Sequence, residues 1–124
     1  MINAFFAVGV GAACGAWLRW GLALLLNQGM IPMGTLLANL LGAYLMGLAL
    51  AAFMLVPTIS NEMKLLITTG FLGGLTTFST FSAEAFALLQ RQEYVWVIAH
   101  IFSHVIGSLL MIALGYCSVQ MLKS

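Results

Sequence analysis

His100, His104 and Ser108 follow one another at four-residue steps, which on a helix sets two imidazoles and a hydroxyl in a single stripe, with Ser103 close by. Such a stripe reads as a hydrated path, and histidines four apart also suit a transition metal. No carboxylate or cysteine accompanies them in that stretch, so a third ligand is missing. Upstream, Thr68, Thr69, Thr76, Thr77, Ser79, Thr80, Ser82 and Glu84 crowd one segment with hydrogen-bonding groups. Phe78 and Phe81, three apart, share a helical face within it. An aromatic edge is electropositive, so the two rings suit an anion; the plainer reading makes them lipid-facing or core residues. Gly70, Gly73 and Gly74 precede Thr76. Poor helix propensity there invites a break whose freed carbonyls coordinate a cation, or else the glycines only admit a neighbouring helix. Asn39 adds an amide able to donate and accept.

These groups must be positioned by elements suited to lipid. Hydrophobic residues make up 63% of the 124-residue chain and charged ones 6%, a composition foreign to soluble domains. A helix needs about 20 apolar residues to cross a bilayer. The chain therefore divides into four spans, Ala4–Leu26, Gly34–Leu55, Met63–Leu89 and Val95–Leu122, forming one membrane domain over 1–124. Asn27 to Pro32, Pro57 to Asn61 and Gln90 to Tyr94 supply the turns. The first segment lacks a basic leader and is expected to be retained. Cys14 and Cys117 fall within spans, where they read as small buried hydrophobes. Gly11 with Gly15, Ala38 with Gly42, and Ser103 with Gly107 have the spacing that brings helices close in lipid.

With the N-terminus inside, Lys64 and Lys123 fall inside and Arg19 and Arg91 outside, an even division of the four Lys and Arg residues. Insertion follows Lys and Arg asymmetry, so balance predicts weak orientation and insertion both ways up. This admits an antiparallel homodimer, a two-chain counterpart of the inverted repeats in transporters. Arg19 and Glu84 are the ionisable residues within spans; both lie toward span ends, which favours a structural or vestibule role.

The motifs GAACGAWLRW, GTLLANLLGAYLMG, GFLGGLTTFSTFSAE and HVIGS, one per helix, resemble the Fluc (CrcB-type) fluoride channels of bacterial inner membranes over the whole chain. The resemblance implies an all-α protein, four helices per chain with a break in the third, in a dual-topology homodimer with two antiparallel pores and a central structural sodium ion. Phe78 and Phe81 match the pore-lining rings and Asn39 the asparagine that supports them. Thr80 falls in the hydroxyl-rich stretch of the pathway, and His104 and Ser108 in the fourth-helix polar track. His100 stands on that track where some members have tyrosine. Gly73 and Thr76 match the residues whose carbonyls hold sodium, and Arg19 and Glu84 match positions near the pore and vestibule. The implied activity is passive fluoride exit, with fluoride, the bilayer and a second copy as partners and no nucleic acid.

Two other readings compete. A proton-coupled exporter of toxic cations would want a carboxylate in a central cavity, for which Glu84 alone is available. An accessory subunit would leave the polar stripes as packing contacts. No hydrolase triad, phosphate loop or dinucleotide fingerprint occurs, so no enzyme is expected.

Overall fold

The apolar runs fold into helices of membrane-crossing length: α1 (Ile2–Leu26), α2 (Met33–Leu55), a third span over Asn61–Gln90, and α6 (Tyr94–Lys123). The computed structural model describes residues 1–124, with no strand. Phe5, Trp17, Trp20 and Phe102 lie exposed on its outside, as expected where lipid is the solvent.

The third span is built in pieces. Ser60 Oγ accepts from Met63 N at 3.2 Å and caps α3 (Asn61–Leu65). The chain then widens into a π-turn over Leu66–Leu72, closed by Gly73 N donating to Thr68 O, and returns to one α-turn, α4 (Gly73–Leu75). Thr76 (φ −87°, ψ 157°) and Thr77 (φ −152°, ψ 123°) are extended, and α5 (Phe78–Gln90) begins after them. Gly70, Gly73 and Gly74 themselves stay helical; the two threonines are the residues that leave helical dihedrals. Their hydroxyls explain this: Thr76 Oγ1 bonds back to Leu72 O at 2.9 Å, and Thr77 Oγ1 caps α5 by accepting from Thr80 N at 3.2 Å.

Packing relies on backbone contact. A Cβ at Gly15 would run into the Phe71 carbonyl of the third span, and one at Gly47 into Ile112 of α6. Gly115 returns the second contact against Tyr44, so the seam between α2 and α6 is made by Gly47 and Gly115. Of the expected pairs, Gly11 and Gly15 both meet the backbone of the third span, Gly42 meets the Thr76 methyl and Gly107 meets Leu40. Ser103 turns back onto its own helix, donating to Ala99 O at 2.6 Å. Ala38, Leu72 and Leu75 form the buried centre, which holds the middle of the third span against α2.

Candidate functional site

In an unbroken helix the Thr77 N–H would bond Gly73 O, and the Thr80 N–H would bond Thr76 O. Both donors are diverted. Thr77 N donates to Asn39 Oδ1 at 2.8 Å, and Thr80 N to the Thr77 hydroxyl at 3.2 Å. Gly73 and Thr76 thus lose the helical partners of their carbonyls. The intervening Gly74 O is taken by Arg19, whose Nε donates to it at 3.0 Å, so this charge ties α1 to the interrupted segment.

Asn39 also donates from Nδ2 to Thr77 O at 3.1 Å, holding the Thr77 peptide from both sides. The same Nδ2 lies 2.9 Å from His104 Nδ1. Because Thr77 N–H can only donate, the amide oxygen must face it, and the nitrogen must face His104. His104 Nδ1 is then the acceptor, and the ring proton sits on Nε2, which is buried without a partner.

Phe81 stacks on His100 at 5.0 Å and lies 4.5 Å from His104, centroid to centroid. It is 7% exposed, whereas Phe78, 5.6 Å away, is 77% exposed on the face no other element covers. A recess of about 230 Å³ opens at the start of α5, bordered by Asn39, Thr77, Phe78, Phe81, His104 and Ser108. A second of about 280 Å³ adjoins it and includes Gly73, Thr76 and Thr68. The sequence-selected Phe78, Phe81, Asn39, His104 and Ser108 are therefore brought together, while Thr80 is not among the lining residues and spends its backbone N–H on the Thr77 hydroxyl.

His100 and Glu84 lie deeper toward the α1–α2 turn. His100 is fully buried, with Nε2 at 3.3 Å from Phe81 O and 3.5 Å from Glu84 Oε1. Glu84 Oε2 accepts from the Thr35 hydroxyl at 2.7 Å. Asn27, in the turn after α1, donates from Nδ2 to Thr35 Oγ1 and accepts from Thr35 N, each at 3.1 Å. Asn27 and Thr35 were not among the residues the sequence singled out; their one signal is an amide and a hydroxyl flanking Pro32 at the mouth of α2. No carboxylate stands beside the histidines on α6, but Glu84 reaches them from α5, and one donor atom of each of the three side chains lies within 4.8 Å of the others.

The family model described as "CrcB-like protein, Camphor Resistance (CrcB)" matches residues 6–116. A "Fluoride-specific ion channel FluC" of Aromatoleum aromaticum is 62% identical over 119 residues, covering 94% of this chain and 91% of that protein. Proteins of the same description from Pseudomonas putida and Desulfovibrio desulfuricans are 54% and 49% identical, covering 93% and 100% of this chain and 92% and 98% of their own length.

Proposed function

Since the chain belongs to the CrcB family, we propose that it is a passive, fluoride-selective channel of the bacterial inner membrane, through which fluoride leaves the cytoplasm. The observation that carries this reading is the recess at the start of α5, where two phenylalanines, a histidine and a serine hydroxyl line one space with no carboxylate among them.

A bare ion the size of a carboxylate loses on the order of 20 kcal/mol on entering an idealised low-dielectric medium. Fluoride is smaller, so donors must replace its water along the whole route. The Nε2–H of His104 and the Ser108 hydroxyl are such donors, and the ring edges of Phe78 and Phe81 supply weaker positive surface. The first N–H groups of α5 point the positive end of that helix the same way. His100 and Glu84 lie beyond Phe81 on the way to the α1–α2 end and act at the vestibule. Exit needs no pump, because a negative cell interior drives an anion outward.

We read Thr76 and Thr77 as the interruption of the third helix anticipated from the sequence. The carbonyls of Gly73 and Thr76, released from helical donors and bordering one recess, have the chemistry to hold a sodium ion. Two carbonyls are too few for a hard cation. A second copy, inserted the other way up and presenting the same pair across a two-fold axis, doubles them and covers the open recesses. A sodium ion held by these carbonyls would offset the negative ends of their dipoles and tie the two chains together. The reading as a proton-coupled cation exporter lacks support: Glu84 is hydrogen-bonded to Thr35 beside His100, outside both recesses.

The test is growth of a bacterium stripped of its own fluoride exit. Expressing this chain should restore growth in fluoride. Continued sensitivity, with the protein present and folded in the membrane, would overturn the reading.

A further inference from the structure

Three buried polar atoms have no hydrogen-bond partner: Glu84 Oε1, His100 Nδ1 and His104 Nε2. Buried groups of this kind are nearly always satisfied, so three on adjacent side chains call for a missing occupant. His100 is 0% and His104 4% exposed, and a donor atom from each of the three residues lies within 4.8 Å of the others. We propose that Glu84, His100 and His104 form a binding site for a divalent transition metal of the zinc class, one per chain.

The donor set selects the ion. Two imidazoles and one carboxylate suit zinc, cobalt or nickel, whereas magnesium and calcium want oxygen ligands. Tetrahedral zinc with bonds of 2.0–2.1 Å places its ligand atoms about 3.4 Å apart, so the cluster must contract by on the order of 1 Å. Three protein ligands leave a fourth position for water or an anion. Entry is short: the Glu84 side chain is 15% exposed, and it stands six residues, or about 9 Å, before the end of α5.

His104 is already held through Nδ1 by Asn39, which leaves Nε2 for the metal. Ligation there moves the ring proton to Nδ1, and the Asn39 amide must turn its oxygen toward it. That turn takes Oδ1 away from Thr77 N. Metal uptake therefore loosens the clasp on the interrupted segment, and through the stacking of Phe81 on His100 it also disturbs a ring that borders the recess.

The experiment uses full-length protein purified without a histidine tag and titrated with cobalt(II). The expected result is one equivalent per chain, with visible ligand-field bands that zinc abolishes. Glu84→Gln, His100→Gln and His104→Gln should each weaken binding by at least about tenfold, the smallest loss usual when even a supporting residue of a metal site is removed. Elution as folded protein on size exclusion qualifies each variant. A Cys14→Ser, Cys117→Ser double variant should keep the bands. Absence of bands in the wild type, which would leave only water among the three side chains, overturns the proposal; so does binding that survives all three Gln variants or disappears with the cysteines. A second arm, which rests on the channel reading, measures fluoride efflux with zinc present, where a loss is expected in the wild type and not in His104→Gln. Cobalt bands with unaltered efflux would uphold the metal site and remove His100 and His104 from the fluoride route.

Discussion

Asn39 holds Thr77 by both sides of one peptide, accepting from its N–H at 2.8 Å and donating to its carbonyl at 3.1 Å. One side chain on α2 thereby replaces the helical partners that an extended residue gives up in lipid, where an unmet backbone group costs several kcal/mol, roughly. The same amide fixes the proton of His104 on Nε2. A structural clasp and the chemistry of the site are set by one residue.

Asn39→Ala should therefore cost about 2–4 kcal/mol, because Thr77 N, Thr77 O and His104 Nδ1 lose their partner together. Thermal unfolding of the solubilised protein measures this. Stability equal to wild type would mean the clasp contributes nothing.

Phe81→Ile should lower fluoride efflux by up to about tenfold, since one aromatic edge contact is worth up to ~1.5 kcal/mol. Apolar volume is largely kept, so the variant should remain folded. Phe78 is 77% exposed on the chain, and Phe78→Ile should leave the stability of a single chain unchanged while lowering efflux. Efflux from liposomes decides both, and undiminished flux would place the rings outside the route.

The four spans were legible because length and apolarity alone identify helices that cross a bilayer, and the structure moves their ends by only a few residues. Asn39 and the histidine stripe stand out by residue type and helical spacing and Phe78 and Phe81 by the family resemblance, and the structure sets Asn39, Phe78, Phe81 and His104 around one recess. Two things were not legible. Which residues of the stretch 70–77 leave the helix was one: Thr76 and Thr77 are extended while the glycines stay helical, because threonine hydroxyls and Asn39 can substitute for helical hydrogen bonds and glycine has nothing to substitute with. The link from Asn27 through Thr35 to Glu84 joins three elements, and no local spacing announces contacts between distant stretches of chain.

Thr35→Val removes the hydroxyl that donates to Glu84 at 2.7 Å and accepts from Asn27, with little change in shape. Hydrogen bonds to charged groups contribute about 1.5–3 kcal/mol, so a loss of that size is expected on thermal unfolding. Thr35→Ser, which keeps the hydroxyl, should recover most of it. Equal losses in both variants would assign the effect to the methyl group.

Gly15→Ala should destabilise by about 1–3 kcal/mol or more, because the added methyl meets the backbone of the third span, which cannot swing aside as a side chain does. Gly9→Ala on the same helix meets nothing within 4 Å and should be neutral or slightly stabilising. Identical melting temperatures for the pair would contradict the packing of α1 on the third span.

The most direct measurement is ion release from liposomes carrying the purified protein, read by fluoride and chloride electrodes in parallel. The account predicts rapid release of fluoride with chloride retained. Fluoride held inside vesicles that contain folded protein, or chloride released as fast as fluoride, would contradict it.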